Sequence, residues 1–414
     1  MRDGPLARLG YLELLVCAVV LAAYSQYLWQ YPFPQIPILF GQSPGIWVGA
    51  LLTGLAFLRW IPDPWRRAGP KQFSFTLLLL LILWSWQMIL SFVHQDAFTH
   101  LVWLYPVVLA MLFLKSPSRS EAHRALLVAG WLFVILIVVT RTLEITETIT
   151  AAETSPALVE FEQNNYWLPL SGSLGPEGRW VGPFFHNSQT GNVAAYLVAL
   201  GVAIRRPTSA VFILVGVTTL LLTSSRTSMV AAVIGAGVAL LLGPYPWNRR
   251  IALRYRLVTM GLLGILTALT ALLYSPNLTG RDVYWAFYWD LWQNSPWIGV
   301  GISGRNAGPE EFFQVNGHNL VIDALGIYGL IAAVMVLLVL ISALALGVRS
   351  ARLKETTPLV VIVTYCVIGL TQSDYNWMSV SVPWLMLMLP MLSAADTVNT
   401  SRKSADIHPV RMRA

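Results

Sequence analysis

Apolar runs long enough to cross a lipid bilayer recur from one end of this 414-residue chain to the other, and no other feature restricts its fold as severely. They fall at about 11–28, 38–59, 73–93, 99–114, 124–142, 188–204, 208–224, 227–243, 257–274, 319–347, 357–372 and 378–395, against roughly 20 apolar residues needed for a helical span. In lipid no water is present to bond exposed N–H and C=O groups, so each run is read as a helix that satisfies its backbone internally. The expectation is an all-α integral membrane protein of about twelve transmembrane helices. Composition agrees: apolar residues are 56% of the chain and charged residues 11%, far from the balance of a soluble domain.

The basic residues test that count independently, because cytoplasmic loops hold the excess of Lys and Arg. With the N-terminus placed in the cytoplasm, alternation puts all of the 27 Lys and Arg residues inside except Arg141, Arg179, Arg226, Arg281 and Arg305. Both termini are then cytoplasmic. The net charge of +7 is a consequence of topology, and no nucleic-acid partner is expected from it. The first apolar run lacks a small-residue cleavage site and is followed by further spans, so it reads as a retained anchor. Cys17 and Cys366 fall inside spans, where two residues build neither a disulfide framework nor a metal quartet.

Residues 1–414 read as a single polytopic membrane domain, since no stretch between spans is long enough for an independent core. Two outer loops stand out: 143–187, acidic and ending in a Gly- and Trp-containing stretch, and 275–318, aromatic and Gly-rich. Loops of this length in a compact chain carry function or are disordered. Within the second, GRDVYWAFYWDLWQNSP places Tyr284, Tyr288, Leu291 and Trp292 on one helical face with Asp282 in the first turn. An interfacial helix on the outer leaflet is expected there, its aromatics at headgroup level and Pro296 ending it. GIWVG in the second run has close-packing spacing, which apolar helices also reach by chance.

Arginine is scarce on the outer side, so each one there needs a partner. Arg226, in TSSRTS between two apolar runs, sits at or just inside the outer boundary, where an unpaired guanidinium is costly; snorkelling to the interface is the plainer alternative. Arg281 opens the aromatic helix and Arg179 lies in RWVGPFFHN; Arg141 and Arg305 read as ordinary surface charges. Planar guanidinium forks at a membrane surface suit a diphosphate, donating paired hydrogen bonds at any working pH. No nucleotide-type phosphate loop occurs. His318, in GHN at the start of the tenth run, has a side chain that can accept a proton near neutral pH, although a His at a helix start also serves as a cap. Asn319 and Asp323 share a face, whereas His318 and Asp323 do not. His186 and Asn187 precede the sixth run in the same manner and suit a headgroup or sugar. The outer acids and histidines lack metal-ligand spacing, so a site without metal or other cofactor is expected.

Taken in order, RWVGPFFHN, TSSRTS, GRDVYWAFYWDLWQNSPWIGVG and GHNLVIDALGIYGL resemble the membrane core of the O-antigen ligase and O-antigen polymerase superfamily, over roughly residues 175–345. The resemblance implies a GT-C-like fold in the bacterial inner membrane, with a site facing the periplasm or exterior. It implies transfer of a glycan from undecaprenyl pyrophosphate to a hydroxyl of a glycan or glycolipid acceptor. Arg226 and Arg281 would hold the pyrophosphate, His318 would activate the acceptor, and Arg179, His186, Asn187 and Asn319 would contact substrate. Ligase and polymerase share these parts and are not separated. A flippase for the same lipid-linked glycan is the alternative; it predicts ionisable groups through the span centres, whereas apart from Glu13 near the cytoplasmic end and Asp323 near the outer end the runs carry almost none.

Overall fold

A computed structural model describes residues 10–28, 44–60, 71–96, 104–114, 117–145, 180, 182–184, 187–204, 207–223, 225–243, 281–307, 319–371 and 381–407. Every regular element among them is helical. In order these are α1 (Tyr11–Leu28), α2 (Pro44–Trp60), α3 (Lys71–Val93), α4 (Leu104–Leu114), α5 (Arg119–Ile145), a 3₁₀ turn (Gly182–Phe184), α6 (Asn187–Ile204), α7 (Ser209–Thr223), α8 (Arg226–Leu242), α9 (Arg281–Asn294), α10 (Gly301–Asn306), α11 (Leu320–Arg352), α12 (Thr357–Thr371) and α13 (Val382–Ile407). Each apolar run of the sequence coincides with a helix except 257–274, which lies outside the described residues.

Helices α3, α5 and α11 are long and apolar enough to cross a membrane, and α1, α2, α6, α7, α8, α12 and α13 contain shorter apolar stretches. The long helices bury only one face each. On α11 the stripe Val334, Leu337, Leu338 and Ile341 is exposed, while Ala332, Ala333, Val336 and Ala343 are buried. On α3 the exposed stripe is Phe75, Leu78, Ile82, Ile89 and Phe92; on α5 it is Trp131, Ile135, Val138 and Val139. Continuous apolar stripes of this kind are untenable in water and natural in lipid.

The fold divides into two compact units interleaved in sequence, one of residues 1–64 and 120–236, the other of 65–119 and 237–414. In the first unit α1 and α5 run parallel. Glu13 accepts from Arg124 Nε at 3.0 Å at their starts, and Thr140 bonds Tyr24 at 3.3 Å towards their ends. Helices α6 and α7 form a close hairpin: a Cβ on Gly216 would stand 2.9 Å from the Ala194 carbonyl oxygen, and one on Gly201 3.0 Å from that of Ser209. Small residues let the two backbones approach this way.

In the second unit α3 and α11 are antiparallel, with Thr76 and Ser342 hydroxyls 2.6 Å apart near one end and Trp86 Nε1 donating to the Tyr328 carbonyl at 3.1 Å towards the other. Tyr105 at the start of α4 accepts from Trp384 Nε1 at the start of α13 at 3.2 Å. A second cluster joins the Arg119 side chain to Glu355 and the Arg119 amide to Asp396. Interhelical polar contacts inside a membrane contribute roughly 0.6 kcal/mol each, so they fix register more than they supply stability. Of the cysteines, Cys366 is buried and Cys17 half-buried, and both are free.

Helix α11 is broken at Gly329, whose φ of 79° and ψ of −178° are not helical. In an unbroken helix Leu330 N–H would donate to the Gly326 carbonyl. Here Leu330 N–H donates to Pro296 at 2.9 Å, and the Gly326 carbonyl accepts from Val300 N–H at 3.2 Å. The turn after α9 thus takes both halves of the missing helical bond. Contact is backbone to backbone: a Cβ on Gly329 would lie 2.2 Å from the Trp297 carbonyl oxygen, and one on Gly299, at φ +67°, 2.3 Å from that of Ile327. Both glycines are needed twice over, for left-handed φ and for room.

Gly299→Ala and Gly329→Ala should each lower stability by at least about 2 kcal/mol, from left-handed strain plus the displaced backbone. Gly54→Ala and Gly237→Ala, where a Cβ meets nothing within 4 Å, should be neutral or stabilising by up to about 1 kcal/mol. Thermal unfolding of the four detergent-solubilised variants distinguishes the two classes.

Candidate functional site

In the first unit Trp180 of RWVGPFFHN bonds the end of α7 and TSSRTS bonds α6. Trp180 is buried, donates its N–H to the Leu222 carbonyl near the end of α7 at 3.0 Å, and carries the Arg141 guanidinium over its ring, 5.8 Å from the centroid. Arg141 therefore has a packing role. Gly182, at φ +69°, opens the 3₁₀ turn, and a Cβ there would stand 2.5 Å from the Thr190 methyl carbon. Helix α6 starts at Asn187 immediately after this turn.

Arg226 is the first residue of α8 and is half-buried. The residue before it, Ser225, holds the N-cap position, since its carbonyl accepts from Met229 N–H at 2.9 Å. Ser228 donates to Asn192 Oδ1 at 2.9 Å, which uses its single proton, so Ser225 is the donor across the 2.7 Å Ser225–Ser228 contact. Gly191 admits this pair: a Cβ would come within 2.6 Å of Ser225 Cβ. The start of α8 is thereby fixed to α6 by a buried hydroxyl–amide chain. The first-turn N–H groups of α8 form a helix end of the kind that favours negative charge. Asn192 Nδ2 and the Tyr196 hydroxyl, one turn apart on α6, are buried with no hydrogen-bond partner among the described residues.

Arg281 is the first residue of α9 in the second unit. On the aromatic face of α9, Tyr288 is only 1% exposed and packs against Gly326, whose added Cβ would be 2.8 Å from the Tyr288 ring, so α11 offers a glycine gap that admits this side chain. Tyr284, Leu291 and Trp292 of the same face are half-buried. Val283 (53%), Trp289 (50%), Trp297 and Ile298 are the exposed large apolar groups of the segment.

Asn319 is the N-cap of α11. Its Oδ1 accepts from Val321 N–H at 2.9 Å and Ile322 N–H at 3.2 Å, and its Nδ2 donates to the Leu370 carbonyl of α12 at 2.9 Å. Both ends of the amide are engaged in positioning, so the side chain sets where α11 begins. Asp323 falls in the first turn, the favourable end for a carboxylate. Arg305 donates twice to Asn306 Oδ1, at 3.0 and 2.9 Å. His318, Arg179 and His186 lie outside the described residues, as do the side chains of Arg281 and Asn187.

Sequence reasoning missed Asp96. Its buried carboxylate accepts from Ile302 N–H at 2.9 Å and Ser303 N–H at 2.7 Å, capping α10 from the end of α3, while Ser303 Oγ donates to the His94 carbonyl at 2.8 Å. Val300, at the N-cap position of α10, has no side-chain bond to give. The only hint in the sequence is an acid just beyond an apolar run, which by itself reads as solvated. These contacts anchor α10 to the end of α3.

Asp96→Ala should release the Ile302 and Ser303 amides. Charge-assisted bonds contribute about 1.5–3 kcal/mol each, so exchange there should accelerate by roughly 10-fold or more. Hydrogen exchange with peptide mapping reads this directly, and unchanged protection over 300–306 would refute the anchor. The chain matches no protein-family model and no curated protein.

Proposed function

We propose that this protein is an inverting membrane glycosyltransferase of cell-surface polysaccharide assembly, of the O-antigen ligase or polymerase type. It transfers a glycan from undecaprenyl pyrophosphate to a hydroxyl of a glycan or glycolipid acceptor. The observation that carries the reading is the ordered motif series together with its mutual packing. Trp180 of the first piece bonds the Leu222 carbonyl just before TSSRTS, Ser228 of TSSRTS bonds Asn192 of α6, and PWIGVG and LGIYGL exchange backbone hydrogen bonds. Segments separated by long stretches of chain are thus used jointly.

Arg226 and Arg281 each begin a helix. In the proposed mechanism both guanidinium forks hold the diphosphate, and the N–H groups of those first turns add to the field felt by the leaving group. Charge grows on the pyrophosphate as the glycosidic bond breaks, so these groups favour the transition state over the ground state. His318, immediately before the Asn319 cap, takes the acceptor proton; attack opposite the leaving group inverts the anomeric carbon. Arg179, His186 and Asn187 contact the glycan or headgroup, with Asn319 positioning the start of α11. No metal or other cofactor takes part.

The topology proposed with it has twelve spans, a GT-C-like arrangement, cytoplasmic termini and an outward-facing site in the bacterial inner membrane. Helix directions support the count. Span α3 and helix α11 are antiparallel. If α4 to α8 each cross once, that direction requires one further crossing before α11, which the apolar run 257–274 supplies and the short polar-faced α9 does not. The contacts of Arg119 with Glu355 and Asp396 likewise join three segments assigned to the cytoplasmic side.

Purified protein supplied with undecaprenyl-pyrophosphate-linked glycan and a glycan or glycolipid acceptor should form product without nucleotide. Arg226→Lys should lose about 100-fold or more in turnover, because a point ammonium cannot reproduce the fork, and His318→Ala should form no product. Wild-type turnover in Arg226→Lys would refute the clamp. Carrier movement across proteoliposomes without product would replace transfer with transport.

A further inference from the structure

Helix α3 carries an unassigned row of polar groups. Gln87, Ser91 and His94 are spaced four and three residues apart, so they share one face over roughly 10 Å of helix rise. Gln87 Oε1, Ser91 Oγ and His94 Nε2 are all buried, and each lacks a hydrogen-bond partner among the described residues. The side chains of Gln87 and Ser91 are almost completely enclosed, at 2% and 0% exposure. The opposite face of the same helix, with Leu78, Ile82, Ile89 and Phe92, is exposed and apolar. A helix that needed polar groups only for solubility would present them outward; this one turns them in.

Buried polar atoms in native proteins are almost always paired. Other buried hydroxyls of this unit obey the rule, as Thr76 does with Ser342. The three orphaned atoms are an acceptor, a hydroxyl that both donates and accepts, and an imidazole nitrogen that does either according to tautomer. Together they match a row of hydroxyl groups, which also donate and accept, and none carries the fixed charge that an ionic ligand requires. The row ends at His94, where the chain turns away from α3. There Gly301, at φ +74°, brings its backbone so close that a Cβ would lie 2.5 Å from His94 Cβ. Asp96 is held in its two amide bonds beside this turn and does not compete for the row.

We propose that Gln87, Ser91 and His94 form a hydroxyl-binding track running inward from the His94 end of α3, occupied by water or by the hydroxyls of a sugar. It belongs to α3 alone and does not depend on glycan transfer being the activity.

The test places single cysteines at Ser91, His94 and, as a buried apolar reference on the same helix, Leu83, in protein whose Cys17 and Cys366 are replaced by Ala, reconstituted in nanodiscs. Ser91→Cys and His94→Cys should react with a small methanethiosulfonate at least 10-fold faster than Leu83→Cys. Slowing of that reaction by millimolar maltose would assign the track to sugar hydroxyls, and indifference to maltose would assign it to water. Wild-type protein provides a check free of substitutions: X-ray radiolysis in ¹⁸O-labelled water should oxidise Met88, buried one turn from Ser91, with incorporation of the label. Ser91→Cys as slow as Leu83→Cys, with unlabelled Met88, would overturn the proposal.

Discussion

A chain this apolar has one overriding obligation, which is to satisfy its backbone without help from water. Helices discharge it residue by residue, and among the described residues no other regular element occurs. The informative places are those where a helix cannot do so. At Gly329 the helical bond from Leu330 to Gly326 is absent, and the turn Pro296–Val300 supplies an acceptor to one partner and a donor to the other. At α10 the first-turn amides are capped by Asp96 from a different helix. At α11 the cap is Asn319, which also reaches α12. Each of these three breaks in the helical pattern is paired with a remote segment, and these pairings tie the second unit together.

Such pairings have a mechanical consequence. A helix is stiff along its axis, so fixing its first residue fixes the origin of everything attached there. The Ser225–Ser228–Asn192 chain fixes the start of α8. Tyr288 over Gly326, with the Gly299–Gly329 interlock, fixes α9 against α11. Arg226, one of the two proposed diphosphate ligands, stands at the first of these fixed starts. Reactions whose catalysis consists mainly of pre-positioned charge depend on this sort of rigidity, since reorganisation at the moment of reaction would offset the gain.

Polar groups that stay unpaired stand out against that background. The Gln87, Ser91 and His94 row of α3 and the Asn192–Tyr196 pair of α6 both face inward on otherwise apolar helices. A protein built to avoid unsatisfied groups retains them where something else completes the bonding. Their periodicity is visible in the sequence only in retrospect, because Gln, Ser and His inside a long apolar run carry no sign of which face is buried.

What the sequence determined was the presence, extent and type of the helices: runs of apolar residues at spanning length have no other solution, and the edges of α1, α6, α7, α8 and α12 fall within a few residues of those runs. It also singled out the segments that matter, among them TSSRTS, PWIGVG and LGIYGL. Only the tertiary structure decided how they are used. Gly299 of PWIGVG and Gly329 of LGIYGL lie far apart in sequence, yet each is required by a carbonyl of the other segment. On the aromatic stripe of α9, Tyr288 is buried against α11, since periodicity identifies a face without saying what each residue meets. Asp96 reads as a solvated acid and is an anchor. The physical reason is the same throughout. Backbone hydrogen bonding within a helix is local and is written in consecutive residues, whereas partners for a broken helix, a cap or a buried hydroxyl come from elsewhere in the chain and are chosen only when the helices pack.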